Sequence, residues 1–317
     1  MSSQNTTNSA NVIRQQVYAD LLQSSFQDNL LGQAIFYDMT SMFPDGDTLN
    51  VNQIGDTALQ DYTEDSVVDY SAIDTSRITL SVTEYKSDAF AMSDKLKQDS
   101  YQAARVFAER IRKSLFMFNK QLEADIYQAC NDVQTPADLN TINGQPHREA
   151  LAAAATAQDI VNKIADIKLS FDKANVPEVG RILIVDSTVE RQLIELGTGA
   201  VIVADSPRFE GLLETGFARD HRFVRNIHGF DVYVSNLLPA IASETVDSVA
   251  VTNGVCNIAM CVADDDCKPV MGVIRQRPSP EGPMRDPFKP QDNWRAFGRW
   301  GFATYRPESV YCLLTQF

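Results

Sequence analysis

One stretch of the sequence, residues 94–132, has the apolar periodicity of an unusually long helix. Its apolar residues recur three or four positions apart, and the charged residues fall off that face. The apolar stripe comprises Ala104, Phe107, Ile111, Leu115, Phe118 and Leu122. About 35 residues at a rise of 1.5 Å each give a rod of roughly 50 Å, well beyond an ordinary globular helix. We therefore expect one long amphipathic helix, capped at its start by Ser93 or Asp94.

The other regular segments predict a mixed α and β chain. Apolar residues at helical spacing predict amphipathic helices over 12–31 and 150–174. The continuous apolar run Arg181–Val185 predicts a buried strand, followed by a short helix over 187–196. Further strands of this lobe are predicted at 230–235, 248–251 and 259–262, and the tail from Val273 is read as Arg/Pro-rich loops followed by strands at 299–306 and 310–314.

Residues 48–85 have the pattern of a long β-hairpin arm. Thr48–Ile54 and Ser76–Tyr85 alternate apolar and polar residues, as half-exposed strands do. The segment between them is polar and acidic, and its acids are Asp56, Asp61, Glu64, Asp65, Asp69 and Asp74. An isolated two-stranded hairpin is marginal in water, so we expect this arm to lie on a neighbouring subunit.

Charge is segregated along the chain. Eleven acids and no Lys, Arg or His lie between Gln15 and Ser76, whereas seven Arg or Lys residues lie between Arg275 and Arg306. Two solvated surfaces would explain this pattern, as they explain most charge runs. The alternative is that the acidic arm of one copy contacts the basic tail of the next, which would fix the orientation of the contact. The tail residues predicted for that contact are Arg275, Arg277, Arg285 and Arg295.

Composition narrows the classes of function. The net charge of −14 opposes sequence-independent binding to nucleic acid or to anionic lipid. No apolar run approaches the ~20 residues of a membrane span, and the polar N-terminus does not have the pattern of a signal peptide. Five cysteines without a secretion signal indicate buried thiols in a reducing cytoplasm. We expect a soluble cytoplasmic product with two lobes or two small domains.

Each candidate catalytic or metal motif has a simpler structural explanation. Gly197–Gly199 lacks the third glycine of a phosphate-binding turn, and Asp264–Asp266 lacks the alternation and distal Glu of a calcium loop. Cys256, Cys261 and Cys267 do not have zinc spacing. No nucleophile motif accompanies His221, Asp220 and His228, and a turn explains Asp45 and Asp47. We therefore expect no catalytic site, no metal and no cofactor.

The order of these parts resembles the major capsid protein of tailed double-stranded DNA bacteriophages. Val82–Asp94 looks like that family's strand from the E-loop into the spine helix, and Arg181–Asp186 is similar to an early A-domain unit. Gly229–Pro239 resembles the A-domain strand that points to the capsomer axis, and Tyr305–Val310 looks like the closing P-domain strand. The resemblance covers nearly the whole chain.

The resemblance implies the α+β Hong Kong 97-type fold. Its parts would be an N-terminal arm (1–44), an E-loop β-hairpin (45–82), a P-domain with the spine helix (83–149), an α/β A-domain (150–272) and P-domain return strands (273–317). It implies a structural protein that assembles into pentamers and hexamers of an icosahedral shell. The implied partners are other copies, a separate scaffolding protein, a portal, a decoration protein in some shells, and packaged double-stranded DNA held without specific binding. The implied location is the virion, after assembly in the host cytoplasm.

Two other classes of function remain open at this point. One is a cytoplasmic metal-dependent hydrolase that uses His221, Asp220 and His228. The other is a minor virion component such as a decoration protein. Size-exclusion chromatography would distinguish an enzyme, which runs as a small oligomer, from a capsid protein, which forms capsomers or shells.

Overall fold

The computed structural model describes residues 35–43, 46–55, 59, 61, 64–65, 67, 73, 75–99, 103–136, 138–153, 155–198 and 223–316. The helices are α1 (Asp94–Asp99), α2 (Ala103–Val133), α3 (Ala157–Lys173) and α4 (Ser187–Thr198). The strands before α3 are β1 (Tyr37–Asp38), β2 (Thr48–Ile54), β3 (Thr75–Ser81), β4 (Glu84–Ser93) and β5 (Arg148–Ala150). Those after it are β6 (Arg181–Val185), β7 (Phe223–Ile227), β8 (Phe230–Val234), β9 (Ala240–Val246), β10 (Val249–Cys261), β11 (Val270–Arg285), β12 (Gln291–Thr304) and β13 (Val310–Thr315).

Helix α2 packs on one face of a four-stranded sheet with strand order β1-β11-β12-β4. The long strands β11 and β12 form an antiparallel hairpin, β4 pairs antiparallel with β12, and β1 is a short parallel edge. The predicted apolar stripe of the helix is buried against this sheet from Phe107 to Leu122, and Ile126 continues it. The long helix thus exists because a sheet covers its apolar side.

A second sheet has the strand order β5-β13-β10-β6-β8-β7, with β9 beside the first half of β10. Its central strand β6 is buried along its whole length, as the continuous apolar run predicts. Helices α3 and α4 cover one face through residues such as Ile164 and Val189, and the C-terminal part of α2 belongs to the core on the other face. The closing strand β13 joins this sheet between β5 and β10.

Strands β2 and β3 form a separate two-stranded hairpin, from Thr48↔Ser81 to Ile54↔Thr75, as the sequence predicts. We call β2, β3 and the residues between them the E-loop, and residues 55–74 its tip. The base of the hairpin is apolar: Leu80 is fully buried with Met271 and Val273 of β11, and Leu49 and Ile78 pack against them. The E-loop is therefore anchored at its base.

Several predicted boundaries were wrong. The rod predicted over 94–132 corresponds to α1 and α2, and residues 100–102 between them lie outside the described residues. The helix predicted from Ala150 starts at Ala157, because Thr156 forms a capping box with Asp159. The strand predicted over 76–85 ends at Ser81, and β4 starts at Glu84. The predicted helix over 12–31 lies outside the described residues.

The largest error concerns the tail, where the predicted Arg/Pro-rich loops are instead the long hairpin of β11 and β12. Prolines usually interrupt a ladder because they lack a backbone N–H donor. The pairing absorbs them with register shifts at Ile274/Gln276, Gln276/Ser279 and Glu281/Met284. Strands β7 and β9 were not predicted, and the predicted strands at 248–251 and 259–262 are the two ends of β10.

Candidate assembly interface

The four-stranded sheet has one face against α2 and one face directed away from it. Successive side chains of a strand point to opposite faces. In β12, Trp294 and Trp300 point to α2: the Trp294 ring centroid lies 4.6 Å from that of Phe107, and Trp300 Nε1 donates to Asp125 Oδ2 at 2.9 Å. The intervening residues Arg295 and Phe297 therefore point away from α2. We call this side of the sheet the open face.

Strand β4 contributes small side chains to the open face. Its odd-numbered residues are exposed and its even-numbered residues are partly or fully buried toward α2. The exposed residues are Tyr85, Ser87, Ala89, Ala91 and Ser93. Four of these five side chains are Ala or Ser, so this part of the face is nearly flat and another chain could approach it closely.

Aromatic and basic groups occupy the centre of the open face. The rings of Tyr85 and Phe297 are stacked with centroids 5.7 Å apart. The guanidinium of Arg295 lies 5.2 Å from the Phe297 centroid, and its Nε is 2.9 Å from Glu281 Oε2. Arg299 is paired with Tyr85 across the strands, so it projects from the same face. The surface combines stacking area with guanidinium donors for carboxylates.

The base of the E-loop lies on this same open face. Gly301 is the next residue of β12, after Arg299, that points away from α2. A Cβ atom at Gly301 would lie 2.2 Å from the carbonyl oxygen of Ser81, the last residue of β3. The base of the E-loop therefore crosses the open face at Gly301.

The described acids of the E-loop tip are exposed. They are Asp61, Glu64 and Asp65, whereas Asp56, Asp69 and Asp74 lie outside the described residues. The tip also exposes three aliphatic side chains, Leu59, Val67 and Ile73. Exposed apolar patches mark interaction sites, so these three side chains make the tip a candidate contact surface.

The four predicted arginines have different surroundings. Arg277 is exposed, and Arg295 is on the open face. Arg275 instead donates from Nη1 to the carbonyl oxygen of Phe43 at 2.7 Å. Arg285 donates to both carboxylate oxygens of Asp94, at 2.6 and 2.5 Å, and this contact lowers the pKa of Asp94.

These surroundings change which residues are assigned to the proposed contact surface. Arg275 and Arg285 have partners within their own subunit and are less exposed or fully engaged there, whereas Arg277 and Arg295 are exposed. Arg295 is also paired with Glu281, but both groups lie at the surface, so Arg277 and Arg295 are the predicted residues best placed to meet another chain. Sequence reasoning did not single out Arg299, Tyr85 and Phe297. Arg295, Phe297 and Arg299 alternate along β12, and this alternation in the sequence could have identified Phe297 and Arg299.

Two buried polar contacts hold the layers together. Asp125 of α2 accepts hydrogen bonds from Trp300 and from Gln121, and burial raises the pKa of its carboxyl group. Arg148 is fully buried and forms a bidentate pair with Glu244, at 2.7 and 2.8 Å. These contacts join α2 to β12 and β5 to β9.

The motifs considered for catalysis have structural surroundings. Cys256, Cys261, Cys130 and Cys312 are buried, and burial raises the pKa of Cys130 and Cys261. Asp265 forms a local ion pair with Lys268 at 2.6 Å, and Asp47 Oδ1 accepts from Thr48 Oγ1.

The remaining motifs lie on or beside turns. His228 is in the turn between β7 and β8. Gly197 lies in the last turn of α4. Asp45, Gly199, Asp220 and His221 lie outside the described residues.

The described residues form neither a metal site nor a helix suited to span a membrane. Among the described ranges, no three or more His, Cys, Asp or Glu side chains are arranged to hold a metal ion. None of the helices in those ranges is long and apolar enough to cross a membrane.

Comparison with solved structures shows which fold this is. A chain from Mycobacterium phage Che8 superposes with a TM-score of 0.64 at 19% identity, covering 89% of each chain. The capsid structure of cyanophage P-SCSP1u gives a TM-score of 0.65 at 13% identity, covering 86% of this chain and 84% of that one. The capsid of an empty GTA particle gives 0.59 at 15% identity, covering 90% and 89%. These matches are likenesses of fold.

Sequence comparison identifies the family. No curated protein matches the chain significantly. The family model described as phage capsid protein matches residues 76–313, about three quarters of the chain. That range includes α2, the three long strands of the four-stranded sheet and the second sheet except for the last two residues of β13. The chain therefore belongs to the phage capsid protein family and is a major capsid subunit of a bacteriophage virion, a structural protein with the Hong Kong 97-type α+β fold.

Proposed function

We propose that copies of this chain assemble as pentamers and hexamers of an icosahedral head, with the E-loop tip of each copy on the open face of its neighbour. One observation carries this proposal: the E-loop is anchored at Gly301 while its acidic and aliphatic tip is exposed. A tip without a core of its own gains stability when another surface covers it. The open face, on which the base of the E-loop lies, offers that surface.

The chemistry of the two surfaces is complementary. Asp61, Glu64 and Asp65 would meet the guanidinium groups of Arg277 and Arg295. Exposed ion pairs contribute only ~0–1 kcal/mol each, so they mainly set orientation and register.

Affinity would come from buried apolar area. Leu59, Val67 and Ile73 of the tip would cover Tyr85 and Phe297 of the neighbour. A lasting contact of this kind buries about 2,000 Å² or more, summed over all contacts of a subunit pair.

The same proposal assigns a role to each part of the subunit. Residues 83–149 and 273–317 would form the P-domain that bears the open face, 150–272 the A-domain at capsomer centres, and 1–44 and 45–82 the two arms. A scaffolding protein, a portal and, in some shells, a decoration protein would be the partners during assembly in the host cytoplasm. The net charge of −14 favours a lining that encloses double-stranded DNA without binding it tightly.

The proposed role involves no catalysis. The hydrolase alternative would need His228, which lies in a turn between two strands, together with two residues outside the described ranges. No contact among the described residues favours that alternative. The proposal is that the chain acts through its surfaces alone.

Proteolysis before and after assembly tests this function. The segment between Gln15 and Ser76 has no Lys or Arg, so a Glu/Asp-specific protease is the suitable probe. It should cut the free subunit within 55–74, whereas particles identified by negative-stain imaging should resist. Equal cleavage rates in the two states, or a protein that never forms shells and runs as a small oligomer, would contradict the proposal.

A further inference from the structure

The side of α2 that points away from the sheet carries an apolar pair within a basic surface. Phe116 and Met117 are 65% and 59% exposed, although each lies within one residue of the buried stripe. Three exposed residues about one turn away are cationic, whereas Gln121 is uncharged and Glu109, which pairs with Arg112 at 3.5 Å, is the one acid near them among the described exposed residues. We call this surface the outer stripe; it consists of Arg112, Lys113, Phe116, Met117 and Lys120.

This exposure is unusual for a helix in the middle of a subunit. The buried side of α2 has Leu115 and Phe118 in contact with the core, as an amphipathic helix requires. Two large side chains on the opposite side gain nothing from that core. Covering a large apolar side chain removes its surface from water, which favours an occupant on the outer stripe.

The chain itself approaches this side of the sheet. Ile35 and Phe36 are buried in the same core as α2, and the Phe36 ring is 5.3 Å from that of Phe302. Phe302 follows Trp300 by two residues on the α2 side of β12, and Trp300 contacts Phe118. Residue 35 therefore lies on the α2 side of the sheet, near the part of the helix that contains Phe118 and Asp125.

The preceding segment has the length and the pattern to reach the outer stripe. Residues 32–34 can span roughly 10 Å when extended, which is about the diameter of a helix. Before them, apolar residues at helical spacing occupy 12–31, a length of about 30 Å if helical. This segment carries Asp20 and Asp28 against Arg14, so its net charge is opposite to that of the outer stripe.

We propose that residues 12–31 dock as an amphipathic helix on the outer stripe of α2 in the same subunit. Its apolar residues cover Phe116 and Met117, and its acids face the surrounding cations. This contact lies on the opposite side of the sheet from the open face, so it does not depend on the proposed assembly contact. The N-terminal arm would thus be attached to its own subunit.

Photo-crosslinking of the dilute, unassembled full-length subunit tests the proposal. A photoreactive benzoyl-phenylalanine replaces Met117, and in a matched control it replaces Leu169, which is exposed on α3. We expect a monomer-sized product in which position 117 is joined to a peptide from 12–31, and no such product from position 169. A dimer-sized product, a crosslink to another segment, no crosslink at 117, or equal crosslinking at 169 would each overturn it.

A second variant separates docking from crosslinking chemistry. Phe116→Lys with Met117→Lys keeps α2 amphipathic toward the core, so the subunit should remain folded. Proteolysis within 12–31 should then be about tenfold faster or more, since the covering of at least one large side chain is lost. An unchanged cleavage rate in the folded double variant would overturn the proposal.

Discussion

The carbonyl oxygen of Ser81 lies so close to Gly301 that a Cβ atom at that glycine would be 2.2 Å from it. No side chain fits between the two backbones, so only glycine allows β3 to cross the open face there. This contact connects the E-loop to the four-stranded sheet, whose open face would bind the E-loop tip of a neighbouring subunit.

Gly301→Ala should displace the base of the E-loop. The added methyl group meets backbone rather than a flexible side chain, so we expect a loss of about 1–3 kcal/mol in the free energy of unfolding. Denaturant unfolding measures this, and assembly yield should fall with it. Ser279→Ala, on exposed β11, is the control and should stay within about 0.5 kcal/mol. A Gly301→Ala loss as small as that of the control would show that the crossing tolerates a side chain.

Charge reversal tests the pairing of the tip with the open face. The double variant Asp61→Lys with Asp65→Lys should fold normally but assemble poorly, because both side chains are exposed and exposed charges add little to folding and more to orientation. Assembly is measured by sedimentation at low and high salt. Adding Arg277→Glu with Arg295→Glu should restore part of the yield.

The matched control for that rescue is Lys173→Glu, at an exposed position in the last turn of α3 that belongs neither to the open face nor to the outer stripe. It should not restore assembly. If the double lysine variant assembles at wild-type yield at every salt concentration, the electrostatic account is wrong.

The buried stripe of α2 gives a stability prediction. Leu115 and Phe118 are both 5% exposed. Leu115→Ala or Phe118→Ala should therefore lower the free energy of unfolding by about 2–5 kcal/mol. Lys113→Ala, exposed on the same helix, should change stability by less than about 0.5 kcal/mol. Unfolding of the isolated subunit measures both. A loss below about 1 kcal/mol at the buried positions would contradict the packing.

Asp125 predicts a pH dependence. Burial raises the pKa of its carboxyl group, so the folded chain keeps this proton to higher pH than the unfolded chain. Stability therefore falls as pH rises above the unfolded value of about 4. Asp125→Asn keeps an acceptor for Trp300 and removes the titration, so the variant should gain stability relative to wild type between pH 4 and 7.

Thermal unfolding across that pH range measures the difference. A gain for Asp125→Asn that shrinks as pH rises would have the wrong sign and would reject the assignment.

The periodicity of apolar residues was sufficient to predict those elements whose structure depends on the burial of one face. The α2 stripe, the buried strand β6 and the pairing of β2 with β3 were all predicted, because burial of one face imposes a strict spacing. The order of these parts supported the family assignment, which the family model confirms. The β11–β12 hairpin was not predicted because its prolines obscure the alternation of apolar and polar residues. The strands accommodate these prolines through register shifts in the pairing, which the sequence does not reveal.

The proposed interface was only partly visible in the sequence for a different reason. Charge counting selects arginines by number along the chain, whereas their role depends on three-dimensional neighbours. Arg285 forms an ion pair with Asp94, which is nearly two hundred residues away in the sequence, so no local sequence pattern predicts that contact. Tyr85 and Phe297 form one stacked surface only because β4 and β12 are paired.

Cryo-electron microscopy of the assembled particle tests the central claim most directly. The account predicts that residues 55–74 of each subunit lie across β4 and β12 of an adjacent subunit, with tip carboxylates within about 4 Å of Arg277 or Arg295 of that neighbour. A map in which the tip folds back on its own subunit, or leaves the open face bare, would contradict it.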